Sequence, residues 1–187
     1  GRDNTTDGPS TDVWNVIGGG TNNQASDTAT CILGGYGNTA NDYGACVVSG
    51  TNNTAGSTYA FVGSGFDNGA GNVGSVIVGG RSNFVGGADG VIVGGNANEV
   101  SGSLGFVGGG SSNFARGENS VVVGGGATGA VIADSNSAMG DWSFIGGGRT
   151  NLVTGLSGMI GGGRHNRVRG DYSVVAGGGG VSAADSN

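Results

Sequence analysis

Residues 106–120 read Phe106-Val107-Gly108-Gly109-Gly110-Ser111-Ser112-Asn113-Phe114-Ala115-Arg116-Gly117-Glu118-Asn119-Ser120. This is an apolar start, a run of glycines, an asparagine, a small apolar residue and a closing glycine. The unit recurs in both directions. Its asparagine falls at Asn23, Asn38, Asn53, Asn68, Asn83, Asn98 and Asn113, and the series resumes at Asn136, Asn151 and Asn166. Six residues before the asparagine stands a β-branched residue in every unit but the enlarged one that ends at Asn136: Ile17, Ile32, Val47, Val62, Ile77, Ile92, Val107, Ile145 and Ile160. Two residues after it comes alanine or valine, from Ala25 to Val168.

A fixed period changes what the composition means. Glycine supplies 47 of 187 residues and proline one. Without a period such a chain reads as low-complexity and disordered; with one it reads as a stacked solenoid. Short β-branched runs bounded by glycine and asparagine predict strands separated by turns. A fifteen-residue unit is too short for a helix–turn–helix repeat but long enough for two short strands and two turns. The expected fold is therefore all-β, a parallel β-roll or β-solenoid of 15-residue coils. Residues 1–15 are expected to flank it and residues 16–187 to form it. One enlarged coil spans 121–143 and another begins at 174–187.

The glycine three positions before each asparagine has two readings. One is a turn needing positive φ; the other is close approach of a neighbouring backbone, and both together are favoured. The asparagines, stacked at one corner, are expected to form an amide ladder. Within the first strand the Ile/Val column faces one way and its neighbours the other. Both sets are apolar, so a thin coil needs another chain to cover its outer face, and a homo-oligomer is expected.

Ser120-Val121-Val122-Val123-Gly124, Ser173-Val174-Val175-Ala176-Gly177 and Ser75-Val76-Ile77-Val78-Gly79 resemble the S-V-A-I-G repeat of YadA-like trimeric adhesin heads. Asn53-Thr54-Ala55-Gly56 is similar to that family's A-x-A-x-G half-repeat, and repeats of this kind also occur in bacteriophage tail fibres. The resemblance covers about Val16 to Gly180. It implies a left-handed β-roll, three chains around a common axis, and a place outside the cell on a virion tail fibre or bacterial surface. The present period is longer, its middle strand residue is branched, and its glycine run is extended.

The chemistry of an enzyme is not apparent. The single histidine, His165, falls at a predicted turn, and the carboxylates Asp27, Asp42 and Asp67 occupy different repeat positions, so no acid–base pair emerges. Neither a catalytic site nor a metal or other cofactor is expected. Cys31 and Cys46 share one column on adjacent coils, where two buried thiols are the simpler reading and a disulfide the alternative. A net charge of -6 without lysine argues against nucleic-acid binding, and no apolar run is long enough for a membrane span.

Two features are candidates for recognition. Trp14, Tyr59, Trp142 and Tyr172 share a column just before the strand, suited to stacking on sugars or to packing between chains. Arg149 and Arg164 stack, with Arg167 and Arg169 nearby, and could meet an acidic glycan or lipopolysaccharide phosphate, though pairing with Asp141 and Asp171 or with the next chain is the simpler reading. These observations support a non-enzymatic fibrous surface protein: a tail-fibre or trimeric-adhesin segment that forms a rod and binds cell-surface glycans or another receptor. A self-assembling extracellular filament and an ice-binding solenoid are the alternatives. The polar start and mid-coil stop are expected of a segment cut from something longer.

Overall fold

The structure is a computed structural model and describes residues 1–7, 14–126 and 134–179. Two parallel sheets of eleven strands run its length. The first stacks Val16–Ile17, Cys31–Ile32 and their successors to Val174–Val175, and the second stacks Thr5–Asp7, Gln24–Ser26 and their successors to Arg167–Val168. Neighbouring strands pair in register from one coil to the next, as in Val76↔Val91 and Ile77↔Ile92. A third row of single-residue bridges passes through Thr21, Tyr36, Thr51, Phe66, Arg81, Asn96 and Ser111, and the sequence pattern did not reveal it. At strand spacing the stack is a rod about 50 Å long.

The rod begins earlier than expected. Residues 1–7, assigned to a flank by the period, carry the first coil: Thr5–Asp7 pairs with Gln24–Ser26, and Arg2 bridges Thr21. Two properties hide this coil from a periodicity argument. Asn4, its ladder residue, stands 19 positions before Asn23, and its strand is polar and exposed. At the enlarged coil, Val121–Val122 pairs with Phe144–Ile145 and Phe114–Ala115 with Ser137–Ala138, so pairing continues past the added residues. Residues 127–133 within that coil, and 180–187 of the second enlarged coil, lie outside the described residues.

Backbone hydrogen bonds link each coil to the next along the rod. Val91 N–H donates to Gly105 O at 2.9 Å and Val93 N–H to Val107 O at 3.0 Å, and the same step recurs throughout. The chain turns by entering the left-handed region at three columns. At Gly35 (φ 101°) both readings of the glycine hold: a Cβ would run into the Gly50 carbonyl oxygen and lie 2.5 Å from Asn38 Nδ2. The other two columns hold a few glycines, such as Gly37 and Gly44, but mostly carry side chains, including Asn52 (φ 55°), Asp67 (φ 57°), Tyr59 (φ 57°) and Trp142 (φ 52°). Left-handed conformation costs an L-residue roughly 1–2 kcal/mol. The N–H at each of these positions is held by the preceding coil, as in Asn52 N–H to Tyr36 O at 2.9 Å and Trp142 N–H to Glu118 O at 2.8 Å.

The core is two columns wide. The Ile/Val column of the first sheet, including Ile32, Val47, Ile92 and Ile145, faces the Ala/Val column of the second, and both are fully buried. A third buried column, immediately before the first strand, adjusts to fit them. Where the second sheet offers Ala40, Ala55, Ala115 or Ala138, the same coil has Ala45, Ala60, Ser120 or Ser143. Where it offers Val85, Val100 or Val153, the coil has Gly90, Gly105 or Gly158. A Cβ on Gly90 would lie 2.9 Å from Cγ1 of both Val85 and Val100, and one on Gly105 would lie 2.7 Å from Val100 Cγ1. Interior volume is therefore conserved by paired choices, as close packing demands.

Gly105→Ala should destabilise the fold by about 1–3 kcal/mol through overpacking. Adding Val100→Ala should cost less than the separate effects predict, with a coupling of about 1 kcal/mol or more in a double-mutant cycle by denaturant unfolding. Strict additivity would refute the compensation.

Candidate functional site

Among the described residues, the asparagine column carries the densest side-chain hydrogen bonding. Asn98 Nδ2 donates to Gly94 O within its own coil (3.0 Å), to Gly110 O of the following coil (3.0 Å) and to Asn83 Oδ1 of the preceding one (3.2 Å). Asn98 Oδ1 in turn accepts from the backbone N–H of Asn113 at 3.0 Å and from its Nδ2 at 3.2 Å. One buried side chain thus joins three coils. The series runs from Asn23 through Asn38, Asn53, Asn68, Asn83, Asn98 and Asn113, and crosses the enlarged coil to Asn136, Asn151 and Asn166. Asn4 heads it, accepting from Asn23 N–H at 3.0 Å. Aspartate would lose every donor, and alanine would take the side-chain partner from Gly94 O and from the Asn113 N–H, while Gly110 O would keep the Asn96 N–H. The sequence marked the column but not this mode of bonding, in which the backbone is tied as firmly as the neighbouring amides.

The aromatic column is carried outward by its turn. Trp14 is 76% exposed and Tyr172 73%, while Tyr59 and Trp142 are also largely in solvent. They share a line but do not form one site. Trp142 lies five coils from Tyr59, roughly 24 Å at strand spacing, and two coils from Tyr172, roughly 10 Å. The intervening positions hold Gly74, Asp89, Leu104 and Asn119 in the first gap and Ser157 in the second. Tyr59 meets Tyr43 edge to face, with ring centroids 5.5 Å apart.

Among the arginines, Arg149 and Arg164 are bridge partners on adjacent coils. Arg167 and Arg169 flank buried Val168 and point outward from the second sheet. The pairing expected with Asp141 and Asp171 is not what these carboxylates do. Asp141 Oδ1 accepts from Glu118 N–H and Asp171 Oδ1 from Leu156 N–H, each at 2.9 Å, because each closes a turn against the preceding coil. Arg149 pairs instead with Asp134 at 3.5 Å. Elsewhere Arg116 lies 4.1 Å over the Phe114 ring and 3.8 Å from Glu99. His165 occupies a left-handed turn (φ 60°) beside the ladder, its N–H held by Arg149 O.

Cys31 and Cys46 are register partners in the first sheet; both are free and half-buried. Burial, then the adjacent Cys31 thiol, pushes Cys46 up to about 11, so it stays a neutral thiol at physiological pH. Among the described residues no group of His, Cys, Asp or Glu is arranged to hold a metal ion, and no helix is long and apolar enough to cross a membrane. The sequence matches no protein-family model and no curated protein sequence at a significant level.

Asn98→Ala should cost about 3 kcal/mol or more, since it removes a side chain that ties three coils and leaves the buried Asn113 N–H and the Gly94 carbonyl without their partner. Asn4→Ala, at the exposed end, should cost less. A denaturation midpoint for Asn98→Ala within experimental error of the parent would refute the ladder's structural weight. Alkylation of Cys46, followed by mass spectrometry of the intact fold, should be slow at pH 8 and accelerate until about pH 11. The rate of an unperturbed thiol at pH 8 would contradict its raised pKa.

Proposed function

We propose that this chain is a stiff segment of an extracellular fibre, a bacteriophage tail fibre or trimeric adhesin, that holds recognition surfaces at a distance and does no chemistry of its own. In this reading the coils wind left-handed and three chains pack around one axis. The observation that carries it is the continuous stack: two eleven-stranded sheets linked along their length by one buried amide column. Such an object has a defined length and repeats the same outer surface at each coil.

The exposed column of Trp14, Tyr59, Trp142 and Tyr172 supports a role in contacting extended glycans. Spacings of roughly 10–24 Å suit separate weak contacts with a polymer or a dense surface better than capture of one small molecule. Presented on several chains, those contacts would gain strength by avidity. Arg149, Arg164, Arg167 and Arg169 add a basic region toward one end, fitted to acidic sugars or phosphate groups. For ice binding, the bridge row that would have to be flat alternates Thr21 and Thr51 with Tyr36, Phe66 and Arg81, which favours the fibre reading. End-to-end growth into filaments remains the competing fibrous role, because a solenoid's terminal coils present unpaired strand edges.

Negative-stain electron microscopy should show discrete rods near 50 Å long, and a surface-glycan array should give binding that weakens at least tenfold in a Tyr59→Ala, Trp142→Ala, Tyr172→Ala variant. Long unbranched filaments would favour the self-assembling role. Glycan binding unaffected by the triple change would remove the aromatic column from the recognition surface.

A further inference from the structure

The outward face of the first sheet has properties that a single chain in water does not require. Two columns dominate it. One holds Val16, Cys31, Cys46, Phe61, Val76, Val91, Phe106, Val121, Phe144, Met159 and Val174; the other lies two residues later and holds only Gly, Val, Leu or Ala. Neither contains a charged or hydrogen-bonding side chain other than the two thiols, although the chain carries a net charge of -6. Leu33, Val78, Val93 and Val123 stand about half exposed on it.

This face is kept level. Each phenylalanine in the first column is matched by glycine in the second: Phe61 with Gly63, Phe106 with Gly108, Phe144 with Gly146. Each ring folds across the space its glycine leaves, with Phe106 Cε1 3.4 Å from where a Gly108 Cβ would be. In the body of the rod a valine in the first column is matched by valine in the second, as in Val76 with Val78, Val91 with Val93 and Val121 with Val123, while the end coils pair Val16 with Gly18 and Val174 with Ala176. Water does not impose constant thickness on an exposed face, whereas a packed partner does.

Beside these columns runs a third, Gly19, Gly34, Ser49, Ser64, Gly79, Gly94, Gly109, Gly124, Gly147, Gly162 and Gly177. At Gly19, Gly34, Gly94 and Gly162 the backbone is not in the left-handed region, and a Cβ would meet nothing within 4 Å. Within the chain, nothing restricts these positions to glycine. The neighbouring Gly35 and Gly95, by contrast, are fixed by positive φ and by the next coil. At these four positions, spread from one end of the rod to the other, the restriction to a small residue therefore has no cause within the chain.

We infer that this face is the seat of further copies of the same chain, lying parallel and coil against coil, with the third glycine column as the line of closest backbone approach. The inference rests on the oligomeric fibre reading and identifies the surface that reading needs. The restriction repeats with the coil, and a partner can impose it at successive coils only if it advances by the same step, as this chain does. A charge-free face also lets an acidic chain meet itself without repulsion. The strip measures about 50 Å by about 12 Å, on the order of 600 Å² per chain. That is the upper end of what monomers expose as one apolar patch and approaches the roughly 800 Å² per partner of a stable interface.

The test is sedimentation of the full chain with Gly34, Gly94 and Gly162 all changed to Gln, beside the same three changed to Ser, a residue the column already accepts at 49 and 64. The parent should sediment as a multiple of 17.8 kDa. The Gln variant should show at least tenfold weaker association with an unchanged β-type circular dichroism spectrum, and the Ser variant should stay assembled. A Gln variant that remains assembled overturns the assignment of the face while leaving the oligomer intact. A Gln variant that loses its β spectrum overturns the claim that the column is unrestricted within the chain. A monomeric parent overturns both this inference and the oligomeric fibre.

Discussion

The structure depends on a carboxamide that has just enough hydrogen-bonding capacity to serve three coils. Asn98 uses both amide hydrogens and its carbonyl oxygen, and spends them on Gly94, Gly110, Asn83 and Asn113. Two-residue strands carry few ladder bonds each and would pair weakly alone. A buried side chain that bonds to the backbone above and below supplies what strand length does not. It also adds to what holds the position three residues earlier to glycine: at Gly35 φ is positive, and a Cβ would meet the Gly50 carbonyl first and the Asn38 amide nitrogen next. The repeat's two most regular columns thus meet at one crowded corner.

Packing follows from the same thinness. A coil this small has room for one branched residue per strand and one small residue at the turn, so the three must be chosen together. Val100 with Gly105 and Ala115 with Ser120 are two solutions to one volume problem. The same kind of exchange appears on the outer apolar face, where Phe106 with Gly108 and Val121 with Val123 give similar thickness. Inside, the cause is the chain's own opposite wall; outside, it is a neighbouring chain on the inference drawn above.

The sequence made the coil, its two strands and its inner columns legible because each repeats at one spacing, and coincidence fades as copies accumulate. What it concealed lies where repetition stops or carries no chemical signature. The first coil is offset, with Asn4 out of step and a polar strand. The left-handed turns could not be seen at Tyr59, Trp142 or Ala97, residues ordinarily poor at positive φ, because the preceding coil's carbonyls hold them there. The Asp141 and Asp171 alternative for the arginines looks open because these residues read as exposed carboxylates in the sequence, whereas in the stack they serve as turn acceptors. For the aromatics, the column was visible and the separations between its members followed only from the coil spacing.

The direction of the coil-to-coil hydrogen bonds has a mechanical meaning. They run along the rod, so tension between its ends pulls on these bonds lengthwise and concentrates on whichever terminal coil yields first. Releasing one coil gives up about 4.8 Å of rod and frees a chain segment of fifteen residues, about 50 Å when extended. Under load the rod would gain about 45 Å for each coil lost, about ten times that coil's folded rise, while the rest stayed folded, and recoiling would take the slack back in the same increments.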